Sequence, residues 1–198
     1  MTPPVLLVFA TRYDAVTCRS CAIAQRLLAE AQELGIRSVA LVESAATTAE
    51  FRNAAASGPI VIAFYCHGDV AGRILTQDGE PCWPPEAIPD LSGTAVFAHA
   101  CRGMCWLSGQ ARELKARLLV GWECDLKTPA NGSDRFWEVY AGVHCFLPKR
   151  LATGADDATI RRDYYELCTR YIHELNARNA RLMEIIAVQE SRDEIVFL

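Results

Sequence analysis

Two stretches decide the fold: Pro59–Gly68, Pro-Ile-Val-Ile-Ala-Phe-Tyr-Cys-His-Gly, and Thr94–Gly103, Thr-Ala-Val-Phe-Ala-His-Ala-Cys-Arg-Gly. Each is a short, unbroken apolar run rich in β-branched and aromatic residues. Such runs read as strands buried on both faces, the pattern of a parallel sheet covered by helices. Each run also ends in a chemically capable side chain close to a glycine: His67-Gly68 in one, Cys101-Arg102-Gly103 in the other.

The flanking sequence supplies the rest of such a sheet. Val5–Ala10 is an all-apolar first strand, and Thr11–Asp14 is a polar loop. Ile23, Leu27, Leu28, Ala31 and Leu34 repeat at helical spacing, so a helix is expected over Ala22–Leu34, stopped by Gly35. Arg37–Val42 reads as a second strand, Ser44–Ala56 as a helix closed by Ser57-Gly58, and Ile60–Tyr65 as a third strand. The β-α-β-α-β order predicts a parallel sheet with helices on both faces. Past Gly68 the pattern changes. Ala71–Cys82 contains Asp78-Gly79, a hairpin signal, and predicts a small antiparallel ribbon beside His67. Trp83–Glu86 reads as an irregular connection and Ala87–Leu91 as one helical turn. Ala95–Ala100 is the fourth core strand, Trp106–Arg117 a helix and Leu118–Trp122 a fifth strand. Cys124–Ser133 has no periodicity. Ser133 suits the N-cap of a helix from Asp134 to about Cys145. Asp156 or Asp157 opens a long helix to about Glu190, and Glu194–Leu198 is a terminal strand or docked tail. With no repeat, linker or low-complexity tract in view, residues 1–198 are expected to form one α/β domain.

Composition narrows the function classes. The chain is 51% hydrophobic and 22% charged, which fits a packed core rather than disorder. A net charge of −4 without a basic block argues against nucleic acid as a partner. No apolar run approaches the roughly 20 residues needed to span a bilayer, so no membrane association is expected. Val5–Ala10 lacks a basic lead-in and reads as a strand rather than a secretion signal. Nine cysteines, an odd and scattered set, point to a reducing cytoplasm rather than a disulfide scaffold.

Ligands of open parallel sheets bind beyond the carboxyl ends of the strands, where His67 and Cys101 both fall. If their strands are neighbours, one crevice receives both side chains. A free thiol with a pKa of about 8.5 is mostly protonated at neutral pH. An adjacent imidazole can take that proton and later return it to a leaving amine. Gly68 removes side-chain bulk where a substrate carbonyl must approach main-chain N–H groups. The amides of Gly68 and Cys101 are therefore candidate oxyanion donors, each worth about 3–4 kcal/mol in comparable sites.

Ala100-Cys101-Arg102-Gly103 resembles the caspase nucleophile motif, Gln-Ala-Cys-(Arg, Gln or Gly)-Gly, and His67-Gly68 resembles the His-Gly of the same clan. The element order is similar to that of caspase-like cysteine peptidases, in particular prokaryotic caspases and CHAT domains. That resemblance implies a three-layer α/β/α sandwich, a Cys/His endopeptidase, no metal cofactor and activation by a partner or signal. It departs from caspases in two respects. His99 stands where they carry a pocket-lining Gln, and the His-to-Cys spacing is shorter than their ~50 residues. Arg12 follows the first strand, where an arginine of caspases binds an acidic substrate side chain. Asp14, Asp69 and Asp125 lie at strand ends or loops on the same rim. The acidic candidates outnumber Arg12, so the expectation leans towards a basic residue before the scissile bond.

Two rival readings come from other classes. Cys18-x-x-Cys21, with Cys101-x-x-x-Cys105, has the spacing of half a zinc site or a redox pair. The chain could also be an inactive, protease-like interaction module. Cys66, next to His67 in a strand, should point to the opposite face and join the core. The arginines of the last long helix (Arg162, Arg170, Arg178, Arg181) read as a solvated face or a partner-docking face.

Overall fold

The computed structural model describes residues 5–83, 87–129 and 131–198. One six-stranded sheet runs through it in the order β2-β1-β3-β4-β5-β6. The strands are β1 (Leu6–Ala10), β2 (Ser38–Val42), β3 (Val61–Tyr65), β4 (Ala95–His99), β5 (Leu118–Trp122) and β6 (Ile195–Phe197). The first five pair in parallel, and β6 closes one edge antiparallel to β5. β3 and β4 are direct neighbours, with Tyr65 opposite His99. The two strands that carry His67 and Cys101 therefore end side by side.

Strand alternation sorts the core into two sheets of packing. Leu6, Val8, Val61, Ala63, Tyr65, Phe97, Val120 and Trp122 face one side. There they meet α1 (Ala15–Glu33), α5 (Asp134–Ala152), α6 (Asp157–Ala177) and α7 (Leu182–Asp193). Leu7, Phe9, Ile62, Phe64, Val96 and Ala98 face the other. That side is covered by α2 (Thr48–Ala55), α3 (Gly103–Gly109), α4 (Ala111–Leu114) and the buried Trp83. The result is the expected three-layer α/β/α sandwich. Among the described residues no helix is long and apolar enough to cross a membrane.

The ribbon after His67 is present but minimal. Single antiparallel bridges join Gly68 to Ile74 and Leu75 to Pro81, around a turn in which Gly79 takes φ 79°. Several expectations need correction, among them the Ser44–Ala56 helix, which runs only over Thr48–Ala55. First, α1 begins at Ala15, about two turns before Ala22, because Asp14 caps it: its carboxylate accepts from the Thr17 N–H at 2.8 Å, and the Thr17 hydroxyl accepts from the Asp14 N–H at 3.0 Å. Second, Ala87–Leu91 forms no helical turn, since Pro89 disfavours the helical conformation at Ile88. The Trp83–Glu86 connection lies, from Pro84 on, outside the described residues. Third, the segment Trp106–Arg117 is two short helices, α3 and α4, and α3 starts at Gly103. Fourth, the long final helix is two. Asn179 adopts φ 52°, and the Ala180 N–H reaches back to the Leu175 carbonyl, a left-handed C-cap. The buried Glu184 carboxylate then accepts from the N–H of Ser133 at 2.5 Å and of Arg181 at 3.2 Å, joining the starts of α5 and α7.

α5 runs past Cys145 to Ala152, through Pro148. A proline there has no N–H for the His144 carbonyl one turn back. The Tyr65 hydroxyl donates to that carbonyl at 2.8 Å and fills the gap from β3. Tyr65→Phe is therefore expected to cost about 1–3 kcal/mol, measured by urea unfolding, because a buried carbonyl loses its donor. In a Pro148→Ala background an N–H returns, and the same substitution should cost clearly less. Equal costs in both backgrounds would refute this account.

Candidate active site

Three chain segments converge beyond the carboxyl ends of β3 and β4. Asp14 caps α1, His67 follows β3, and Cys101 follows β4. His67, Cys101, His99, Ala100 and Leu126 line one cleft, together with Val16 and Thr128. The approach of the two turns is a backbone matter. A Cβ at Gly68 would lie 1.9 Å from the Cys101 carbonyl oxygen, and one at Gly72, which has φ 79°, would lie 2.1 Å from that of Arg102. Only glycine lets the His67 loop seat on the Cys101 turn at these two points. The N–H groups of Gly68 and Cys101 donate to no main-chain acceptor among the described residues.

The Cys101 turn is tightly held. Arg102 sits in the left-handed region at φ 56°, ψ 15°, a conformation that costs a non-glycine residue on the order of 1 kcal/mol. Its N–H donates to the Cys124 carbonyl at 2.9 Å, and its guanidinium grips Asp125 with two bonds of 2.9 and 3.0 Å. Arg102 and Asp125 thus brace the turn together. The fork also ties the turn to the Cys124–Pro129 loop, whose Leu126 N–H points at the Cys101 sulfur. Burial holds the Cys101 thiol above its ordinary pKa, against the pull of the Leu126 N–H.

Asp14 belongs beside the histidine rather than in a substrate pocket. Its Oδ2 lies 2.6 Å from His67 Nε2. Burial alone would raise the Asp14 pKa. The Thr17 N–H, the His67 ring and the Thr17 hydroxyl together outweigh it and bring the carboxyl down to about 2. An ionised carboxylate only accepts hydrogen bonds, so Nε2 carries a proton, and in the neutral ring the lone pair is on Nδ1. Nδ1 has no hydrogen-bond partner among the described residues. Tyr13 leans on the imidazole, ring centroids 5.5 Å apart.

The other rim residues are occupied elsewhere. Arg12 pairs with Glu43 at 2.9 Å. Asp69 accepts from the N–H groups of Ala71 and Arg73 and from the Arg73 guanidinium, which shapes its own loop. His99 forms the inner wall of the cleft. It is 3% exposed, packs against His144, Tyr140, Trp122 and Tyr65, and has neither ring nitrogen hydrogen-bonded. Burial lowers its pKa to about 4, so it is a neutral wall at physiological pH. Cys66 is buried on the sheet face opposite Tyr65, as its place in the strand predicts, while part of it reaches the cleft. Cys18 is exposed and Cys21 buried within α1. No group of three or more His, Cys, Asp or Glu among the described residues is placed to hold a metal ion.

The Asp14–His67 pair has a pH signature. A carboxyl lowered to about 2 from an unfolded value near 3.9 stabilises the fold above that unfolded value, and the contribution disappears as pH falls through about 2. Asp14→Asn keeps an oxygen for the Thr17 cap and removes the charge. Wild type should therefore lose stability relative to Asp14→Asn between about pH 4 and 2, by less than about 1 kcal/mol because the pair is open to water. Urea midpoints across that range measure the difference, and parallel curves would contradict the lowered Asp14 carboxyl. No family model matches this chain, and no curated protein does.

Proposed function

We propose that this chain is a caspase-like cysteine endopeptidase of the prokaryotic caspase or CHAT type, acting on a protein or peptide in the cytoplasm. The observation that carries the reading is the Asp14–His67 pair. It fixes the imidazole with its basic nitrogen free, in the same cleft as a thiol on a braced turn. Cys101 is the nucleophile, His67 the base and then the acid, and Asp14 orients the ring and stabilises the imidazolium. Sγ attacks the scissile carbonyl as Nδ1 takes its proton. The amides of Gly68 and Cys101 hold the oxyanion, and the imidazolium protonates the leaving amine. Water, with His67 again as base, hydrolyses the thioester.

The cleft supports a regulated enzyme. Its volume of about 20 Å³ suits one water rather than a side chain. Leu126 and Thr128 line it, so a substrate side chain that enters displaces the Cys124–Pro129 loop, and an activating protein would act by favouring that displacement over the basal rate of the free protein. The charged rim residues all have partners, which leaves the cleft walls neutral. The residue before the scissile bond is then uncharged, in place of the basic residue that counting carboxylates favours.

A peptide library tests the proposal. Wild type should cleave, Cys101→Ala should not, and His67→Ala should lose a factor on the order of 10²–10⁴ in kcat. Asp14→Asn should fall between His67→Ala and wild type. Cleavage that survives in Cys101→Ala would overturn the assignment.

A further inference from the structure

β2 is an open edge of the sheet: among the described residues it pairs with β1 on one side and with no strand on the other. Sheet edges are commonly blunted by charge, proline or shortness, because a bare row of main-chain groups templates another strand. The far edge follows that rule: β6 is three residues long, and Arg161 lies over its Phe197 ring at 4.6 Å. β2 does not. Its five residues, Ser38-Val39-Ala40-Leu41-Val42, include no charge and no proline.

Parallel pairing decides which groups of β2 are unused. The Leu6 N–H donates to the Arg37 carbonyl at 3.2 Å, and Leu6 stands opposite Ser38. The main-chain groups of Arg37, Val39 and Leu41 therefore point to β1, and those of Ser38, Ala40 and Val42 point away from it. These three are spaced evenly about Ala40, so a second β2 can approach antiparallel with a two-fold axis at Ala40. The two Ala40 residues then exchange both their hydrogen bonds, and each Val42 N–H meets the Ser38 carbonyl of the other copy. The same register sets Arg37, just before the strand, opposite Glu43, just after it, at both ends of the ladder. The edge is thus complementary in charge to itself, which favours a second copy over an unrelated strand. Beside the edge, on the α1 face, lies a groove of about 660 Å³ lined by Gln25, Leu28, Ala29, Gln32, Ile36 and Ala40, with Arg37 the one charged residue in its wall among the described residues. The two-fold axis brings the grooves of the two copies face to face.

We propose that β2 is a homodimer interface, at which a second copy of this chain adds its own β2 antiparallel to this one about Ala40 and continues the sheet. The inference uses no residue of the candidate active site and is independent of the peptidase reading.

Sedimentation equilibrium of the full chain should give twice the monomer mass of 21.8 kDa. Arg37→Glu places like charges opposite each other at both ends of the ladder and should weaken the dimer by about tenfold or more. Glu43→Lys should do the same, and the double variant Arg37→Glu/Glu43→Lys should recover the wild-type affinity. Ala40→Pro removes a central N–H that β1 does not use and should give a folded monomer by circular dichroism. Cross-linking reads the register in the associated protein. Ala40→Cys should form a disulfide with its own copy, across Cα atoms about 5.5 Å apart, identified by mass spectrometry of the joined peptide. Ser38→Cys, about 14 Å from its own copy, should not. A monomer throughout the concentration range, a dimer indifferent to the charge reversals and to Ala40→Pro, or one lost in Val196→Pro of β6 instead, would overturn the proposal.

Discussion

The site depends on one steric constraint, the seating of the Gly68 backbone against the Cys101 carbonyl. A Cβ there would come within 1.9 Å of that oxygen, and a second glycine, Gly72, repeats the condition against Arg102. Parallel pairing of β3 with β4 delivers the two turns to one end of the sheet. The absence of two side chains then lets them close. Two features of the site follow from that contact: the cleft that His67 and Cys101 share, and the two amides without main-chain acceptors among the described residues.

Charge is managed around this contact by pairing. Asp14 serves at once as the cap of α1 and the partner of His67, so the helix start and the histidine are set by one residue. Arg102 and Asp125 close a fork over the Cys101 turn and hold its left-handed residue in place. Behind them the wall is neutral and aromatic. Desolvation keeps His99 uncharged and holds the Cys101 thiol above its ordinary pKa.

Much of the fold was legible in the sequence because its strands are short apolar runs whose length and punctuation leave few alternatives. Val5–Ala10, Ile60–Tyr65, Ala95–Ala100 and Leu118–Trp122 each match a strand to within a residue. Helix boundaries were less legible where capping decides them. The Asp14–Thr17 box starts α1 earlier than the apolar spacing indicates, although an Asp three residues before a Thr was a signal in plain view. Asn179 ends α6 inside a stretch whose periodicity continues into α7, because Asn tolerates the left-handed conformation and no glycine marks the break. His67, Gly68 and Cys101 could be singled out because each follows an apolar run. The roles of Asp14, Asp69, Asp125 and Arg12 could not, because a loop carboxylate reads the same whether its partner is a substrate, a histidine or an arginine. Tyr13, Gly72 and the Leu126 N–H carry no local signal at all; they matter only through contacts between distant segments.

In the proposed mechanism His67 and Asp14 make Cys101, rather than a more exposed thiol, the nucleophile. Mass spectrometry of the protein after brief exposure to an activated peptide ester tests it most directly, since nine cysteines compete for the acyl group and Cys18 and Cys105 are the exposed ones. A single thioester at Cys101 is expected, formed quickly in wild type and far more slowly in His67→Ala. Acylation spread over Cys18 and Cys105, or a Cys101 adduct that forms equally fast without His67, would contradict it.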